Sequence, residues 1–176
     1  MALDIIEITV SVDGDTPHAI GDVLFNLTEF PLPARACKII NAFYEVETTA
    51  IDNHIIRCLF FKSNDGGDLG ALNLTADITA ANFALNKYIG EIGLICDAGG
   101  TANDIDKIDN MMLMQMHNGI GEDSGGGGGG GTWNLVLKGS EDTSFSHGLY
   151  VAGMCIVGNI DYTADRTAKL ILHVEY

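Results

Sequence analysis

The chain has 176 residues, enough for one domain that buries a real hydrophobic core without disulfide cross-links. Hydrophobic residues make up 47% of it, which is above the range of disordered chains. Asp and Glu number 24 against 9 Lys and Arg, so the net charge is −15. Binding to nucleic acids and to anionic membranes both depend on clustered Lys and Arg, so this balance excludes both classes of partner.

The N-terminus and the cysteines indicate where the protein is made. The first seven residues, MALDIIE, hold two acids and no basic residue, so we expect no secretory signal. No apolar stretch approaches the 18 residues of a membrane span, so we expect a soluble protein. Each of the four cysteines lies in an apolar run and none forms a CxxC pair; they are Cys37, Cys58, Cys96 and Cys155. We therefore expect buried, unpaired thiols rather than disulfides or a zinc site.

Apolar and polar residues alternate in two-residue steps along much of the chain, which predicts half-buried antiparallel strands. The first strand places four residues on one face: Ile6, Ile8, Val10 and Val12. Similar strands are predicted over residues 22–28, 132–138 and 169–176. In the second of these, Trp133 falls on the core side.

Four other segments are apolar on both faces: residues 36–48, 55–62, 88–96 and 148–158. In the first of them, alternation places Ile40 with Tyr44 on one side and Cys37 with Phe43 on the other. Such segments are either central strands or strands whose second face contacts another subunit.

The count is about nine strands and one short helix. Asp77 or Thr79 can cap a helical turn that carries Ala80, Phe83 and Ala84. This pattern predicts an all-β protein, an antiparallel β-sandwich of jelly-roll type, formed as a single domain over residues 1–176.

A glycine-rich loop at residues 121–132 contains seven consecutive glycines, and a Met-rich strand at 110–117 precedes it. Methionine suits irregular contact surfaces, and glycine permits close approach of two backbones. We therefore expect loop and strand to contact a neighbouring subunit. The alternative is a strand central in its own sandwich with a solvent-exposed loop. The candidate interface residues are Met112, Met114, Met116, Gly125, Gly128 and Gly131.

Catalytic and metal-binding motifs are missing from the sequence, which has no P-loop, no Gly-x-Ser-x-Gly and no His-Glu-x-x-His. His147 lies next to Ser144 and Ser146, but nothing supplies an orienting carboxylate or an oxyanion hole. The acidic turns at 64–68 and 104–109 could offer oxygen ligands to Ca²⁺ but lack the calcium-loop pattern. We expect no catalytic residue, no cofactor and no metal site.

The order of several segments resembles that of small β-sandwich structural proteins in the virions of tailed bacteriophages. The similar segments are DTPHAIGDVLF at 15–25, YEVETTAID at 44–52, IIRCLFFKSN at 55–64, YIG at 88–90, LYVAG at 149–153, DYT at 161–163 and AKLILHVEY at 168–176. The resemblance covers roughly residues 5–64 and 78–176. The Met-rich strand and the polyglycine loop depart from the family pattern.

The resemblance implies a non-catalytic virion protein made in the host bacterial cytoplasm, with a capsid decoration or cement protein as the first interpretation. The implied partners are the major capsid protein or other virion proteins, and copies of itself, with a trimer as one arrangement. The alternatives are a head–tail adaptor, a tail- or fibre-associated structural protein, or a carbohydrate-binding β-sandwich module.

Overall fold

The computed structural model describes residues 2–14, 16–47, 54–96, 107–108, 111–116, 135–157, 162 and 165–176. Within them lie ten β-strands and one α-helix. In chain order they are β1 (Leu3–Val12), β2 (Val23–Pro31), β3 (Ala36–Glu47), β4 (His54–Phe61), α1 (Ala80–Leu85), β5 (Tyr88–Cys96), β6 (Lys107–Ile108), β7 (Met111–Met116), β8 (Val136–Lys138), β9 (Gly148–Val157) and β10 (Arg166–Glu175).

Eight of the strands form two antiparallel four-stranded sheets. The first sheet has the order β1-β10-β3-β7 and the second the order β5-β4-β9-β2. Among the described residues, two pairs join the sheets, Leu94 with Met116 and Ile95 with Gln115, at the corner between β5 and β7. The short strands β6 and β8 extend the first sheet by pairing with β7 and β3.

The pairing order is that of a jelly roll, because the chain folds over on itself like a doubled ribbon. Of the eight long strands, the first pairs with the last, the second with the seventh, the third with the sixth and the fourth with the fifth. The predicted all-β sandwich of jelly-roll type is confirmed, with eight strands in the two sheets rather than about nine.

The main core lies between the two sheets and contains side chains from both. In β1 the predicted alternation is confirmed, since Ile6, Ile8, Val10 and Val12 are all buried. In β10 the buried residues are Ala168, Leu170, Leu172 and Val174. Leu135 and Leu137 are also buried as predicted, whereas Trp133 lies outside the described residues.

A β-bulge corrects the predicted alternation of β3. Pairing with β10 shifts register between His173 and Val174, next to Ile40 and Asn41. The bulge adds one residue to β3, so Cys37 and Ile39 join Tyr44 in the core while Ile40 is 38% exposed. The sequence placed Ile40 on the side of Tyr44 because period-2 counting does not register an inserted residue.

The helix forms where the capping pattern predicts it. The side chain of Thr79 accepts a hydrogen bond from the backbone N–H of Asn82, which satisfies one unpaired donor of the first turn. The helix belongs to residues 63–87, which cross the outer face of the second sheet and which we call the covering segment. Its Leu69 is 1% exposed, and Ile78 and Phe83 pack beside it.

The covering segment explains why strands β4 and β9 are apolar on both faces. A second hydrophobic cluster forms beneath it, and the strand residues in this cluster are Val23, Leu59, Phe61, Tyr150 and Ala152. The backbone also anchors the segment, since the N–H of Val23 donates to the carbonyl of Leu74 and the N–H of Asn73 to that of Val23, both at 2.9 Å. The second faces of these strands are therefore covered by the chain itself.

Candidate interaction surface

The interior of the sandwich holds a small polar cluster that is closed to solvent. The hydroxyl groups of Tyr44 and Tyr162 are 3.3 Å apart, and both residues are completely buried. The ring of His18 packs edge-on against that of Tyr162 at 5.7 Å, and its Nε2 lies 2.6 Å from the carbonyl oxygen of Asp13. Burial raises the pKa of both tyrosines, so both phenols stay protonated and act as hydrogen-bonding groups.

The cysteines sit in the same kind of environment. Cys37 and Cys58 are buried free thiols, as predicted, and Cys155 is buried with its sulfur 3.8 Å from the carbonyl oxygen of His18. Burial raises the pKa of Cys37 to about 11 and that of Cys58 further. Because the thiolate is the reactive form, these thiols are poor nucleophiles. The side chain of Cys96 lies outside the described part.

The sequence offered Ser144 and His147 as a nominal nucleophile and base. In the structure the hydroxyl of Ser144 donates to Glu29 Oε2 at 2.9 Å, and its backbone N–H bonds to the other oxygen of that carboxylate. These bonds tie the exposed loop to β2. The serine hydroxyl is thus held by the Glu29 carboxylate and not by His147.

The acidic turn at 64–68 presents two separate carboxylates. Asp65 and Asp68 are exposed, and Asp68 accepts a hydrogen bond from the backbone N–H of Leu27 at 3.3 Å. Across the residues that the structure describes, no three His, Cys, Asp or Glu side chains converge at metal-binding distance. The turn at 104–109 lies largely outside those residues.

A cleft of about 390 Å³ opens where β1 ends and β10 begins. It is lined by Ser11, Val12, Asp13, Leu72, Asp165, Arg166 and Thr167. The carboxylate of Asp165 accepts a hydrogen bond from the backbone N–H of Gly14 at 3.2 Å, so it fixes the turn after β1. The side chain of Asp165 in the cleft therefore has a structural role, which is to join the turn after β1 to the start of β10.

Near the rim of the second sheet, Tyr88 is 42% exposed. Its ring packs against Phe83 at 5.5 Å, and its hydroxyl donates to Glu91, which also pairs with Arg57 at 3.3 Å. Burial and the neighbouring Glu91 raise the pKa of Tyr88 to about 12. This small aromatic and charged patch is the surface feature most like a sugar-stacking site.

The outer face of the first sheet differs from that of the second, because apolar side chains remain exposed on it. The register of β1, β10 and β3 arranges its outward residues in four rows. They are Leu3, Glu175 and Lys38; Ile5, His173 and Asn41; Glu7, Ile171 and Phe43; and Thr9, Lys169 and Glu45. We call these rows the open face.

The open face carries exposed apolar side chains among polar and charged ones. Leu3 is 71% and Ile5 57% exposed, while Ile171 and Phe43 are partly exposed. The ring of Phe43 packs against that of His173 at 5.3 Å. Beyond the Lys38 end, Val136 of β8 is 58% exposed. Exposed apolar groups that adjoin across neighbouring strands are typical of a protein contact surface.

Two ion pairs lie among these apolar side chains. Lys169 lies 3.4 Å from Glu7, and Lys38 lies 3.7 Å from Glu175. All four side chains are partly exposed, so each pair contributes little to folding, on the order of 0–1 kcal/mol. They provide the open face with charges of both signs in an otherwise strongly acidic chain.

Of the predicted interface residues that the structure describes, none lies in the rows of the open face. Met112 and Met114 lie on β7, next to β3 in the first sheet, where they pair with Val46 and Tyr44. Met116 is half-buried and packs against the main core of its own chain. Gly125, Gly128 and Gly131 lie outside the described residues, so the expected contact of the glycine-rich loop stays a prediction.

Sequence reasoning missed Ile5 and Ile171, although each is an apolar residue on the otherwise polar side of a strand. Phe43 was placed on the second apolar face of residues 36–48 but was not connected with them. Alternation alone treats one such residue as an exception. Only the register places all three on adjoining strands of one face.

In the described part of the chain, no helix is long and apolar enough to cross a bilayer. Comparison with models of protein families, with curated proteins and with solved structures finds no match to this chain.

Proposed function

We propose that this protein is a non-catalytic structural component of a virion, a decoration or cement protein that stabilises a bacteriophage head through subunit contacts. The open face is the single observation that carries this proposal. It leaves Leu3, Ile5, Ile171 and Phe43 at the surface of a sandwich whose other broad face is covered by residues 63–87.

The character of the interior supports a structural role. Its polar groups are sealed, its thiols are held protonated, and its tyrosines bond to each other. An enzyme needs reactive groups that a substrate can reach, and a binding protein for small ligands needs an apolar pocket with convergent polar groups. The described residues offer wide faces instead.

The charge of the chain fits the outside of a protein shell. A net charge of −15 repels packaged DNA and keeps the unassembled protein soluble. We propose the major capsid protein or another virion protein, together with further copies of this chain, as partners reached after synthesis in the host cytoplasm.

Localisation on the particle tests the proposal. Gold-labelled antibody against the purified chain would be applied to particles produced from the genome that encodes it. We expect label spread over the head. Label confined to the neck or tail would support the adaptor or tail-associated alternative, and absence of the chain from purified particles would overturn the virion proposal.

A second measurement tests the open face itself. Particles carrying Ile171→Asp should lose the chain or break at lower temperature, because a carboxylate would be buried in the contact. Leu85→Asp is the matched control, since Leu85 is 52% exposed on α1, away from the open face. Equal behaviour of the two variants would remove the open face from the proposal.

The carbohydrate-binding alternative predicts a different result. Glycan-array binding by the purified chain that disappears with Tyr88→Ala and survives Ile171→Asp would support the patch formed by Tyr88, Glu91 and Arg57.

A further inference from the structure

We propose that the open face binds the open face of a second copy of this chain, about a two-fold axis that runs across the strands between the His173 row and the Ile171 row. The inference deepens the proposed function, because it names the partner at the same surface. It is carried by charge complementarity between the rows.

The axis exchanges the outer rows of the two copies. The row with Lys169 and Glu45 then faces the row with Glu175 and Lys38 of the second copy. Lys169 lies opposite Glu175 on the central strand, and Glu45 lies opposite Lys38 on β3. By symmetry each of these two facing pairs occurs twice, so four pairs of opposite charge surround the contact.

The inner rows supply the centre of this contact. Ile171 of one copy lies over His173 of the other, Ile5 lies over Glu7 and Phe43 lies over Asn41. Each apolar side chain of the centre thus faces a polar one, and the charged outer rows form the rim of the contact. Sheets stacked in this way pack about 10 Å apart with their strands within about 30° of each other.

A two-fold axis along the strands would be unfavourable. It would place Lys169 over Lys169 and Glu175 over Glu175, because each residue of β10 would then face the same residue of β10 in the second copy. Like charges in direct contact oppose association. The pattern of the rows therefore selects one of the two face-to-face arrangements.

The overall charge of the chain also favours this face for self-association. Two copies at −15 each repel one another, most of all where acids outnumber bases. The four rows hold three carboxylates, Glu7, Glu45 and Glu175, against two ammonium groups, Lys38 and Lys169. Contact at this surface brings together rows whose charged side chains sum to only −1 per copy, two ammonium groups against three carboxylates.

The edge strand is a poorer site for a second copy than the face. The carboxylate of Asp4 accepts a hydrogen bond from the backbone N–H of Ile5 at 2.9 Å, which occupies an amide of β1. Acidic side chains on an edge strand are a common device against edge-to-edge pairing. A second copy would thus bind by stacking and not by extending the sheet.

The size of the face predicts a weak, reversible dimer. Three strands at about 4.8 Å spacing and four rows at about 6.6 Å spacing give a footprint of roughly 380 Å² per copy. Twice this area lies below the standard size of stable interfaces, in the range of weak and transient contacts. Association should therefore depend on concentration.

Sedimentation velocity of the purified chain over a range of concentrations tests the dimer. We expect a reversible shift from monomer to dimer, and Ile171→Asp should weaken association by more than about tenfold because it buries an unpaired charge. Leu85→Asp should associate like the native chain. A chain that stays monomeric at every concentration, or an Ile171→Asp variant that dimerises normally, would overturn the inference.

Mixing two charge variants tests the axis. Lys169→Glu alone places two acids opposite each other, and Glu175→Lys alone places two lysines opposite each other, so each variant should be monomeric. In a mixed dimer both oppositions again join unlike charges, and equimolar mixing should restore association. The intrachain surroundings of each variant are the same alone and mixed, so a change in folding cannot produce this rescue. Failure of mixing to restore association, with both variants folded by circular dichroism, would exclude this axis.

The dimer and the virion role can fail separately. If the chain dimerises but is absent from particles, the dimer interface is supported and the proposed virion function is refuted. If the chain labels the head but never dimerises, the virion function is supported and the open face must bind another partner.

Discussion

The phenol oxygens of Tyr44 and Tyr162 lie 3.3 Å apart between the two sheets, in the buried centre of the sandwich. Tyr44 belongs to β3, and Tyr162 lies in the connection between β9 and β10. Since β9 and β10 are in different sheets, this bond holds the crossing between the sheets against the first of them. The ring of Phe25 from the second sheet stacks on Tyr44 at 6.2 Å and completes the link.

Removal of the hydroxyl in Tyr44→Phe should lower the free energy of unfolding by about 1–2 kcal/mol, because a buried phenol of Tyr162 loses a partner. Urea denaturation measures this loss. The control is Tyr88→Phe, whose hydroxyl bond to Glu91 is exposed, with an expected change of less than about 0.5 kcal/mol. Equal effects would mean that the buried bond contributes nothing to stability.

Stability should fall with rising pH above about 9. Burial raises the pKa of Cys37 from 9.0 to about 11, so between these values the folded state keeps a proton that the unfolded state has released. The contribution is therefore complete below pH 9 and is lost as pH rises to 11. Tyr44 and Tyr162 extend the loss above their ordinary value of 10.0, since their pKa is also raised by burial.

Urea midpoints measured from pH 7 to pH 11 check this expectation. The variant Cys37→Ala should be less stable than the native chain at pH 7 but should show a shallower decline between pH 9 and 11. A midpoint that stays constant to pH 11 would contradict buried, protonated thiols and phenols.

The sequence predicted the fold well where strands have one wet face, because burial then repeats every second residue. β1 and β10 follow this pattern without interruption on their buried faces. The pattern failed at Ile40, where a bulge adds a residue, since a local insertion in pairing leaves no mark in composition. The helix after Thr79 was predictable because its cap is a local interaction.

The open face could not be predicted in the same way. Ile5, Ile171 and Phe43 are separated by up to 166 positions along the chain, and their adjacency depends on the pairing of three strands. Likewise, apolar residues on both faces of β4 and β9 were compatible with a second subunit. Only the path of residues 63–87 assigns that cover to the chain itself.

Asn86 should control how firmly the covering segment is attached. It is completely buried after α1; its Oδ1 accepts from the N–H of Gly66 at 2.7 Å, and its Nδ2 donates to the carbonyl of Gly67 at 2.8 Å. Asn86→Ala removes two hydrogen bonds made by a completely buried side chain, at a cost of about 1–3 kcal/mol. Proteolysis and amide hydrogen exchange should increase in residues 63–87 before they increase in the strands of the sandwich.

A glycine pair provides the matched control for this turn. A Cβ at Gly66 would lie 1.8 Å from the carbonyl oxygen of Asn82, whereas Gly67 has open space but a φ of +78°. Gly66→Ala should therefore be as damaging as Asn86→Ala, while Gly67→Ala should cost only about 1–2 kcal/mol of backbone strain. If Gly66→Ala and Gly67→Ala were equally stable, the turn would not pack closely against α1.

Gly153 should be required for the packing of Phe25 between the sheets. A Cβ at Gly153 would lie 2.2 Å from Cε1 of Phe25, so the ring rests directly on the backbone of β9. Gly153→Ala should lower the free energy of unfolding by about 1–3 kcal/mol or more through overpacking. Gly90→Ala is the control, because the nearest atom there is the flexible end of Leu135 at 2.7 Å, which can move aside.

A double-mutant cycle with Phe25→Leu isolates the contact between Phe25 and Gly153. The smaller side chain should destabilise the native chain but should cost little or nothing in Gly153→Ala, where it relieves the clash. Equal costs of Phe25→Leu in both backgrounds, measured by urea denaturation, would show that ring and backbone are not in contact.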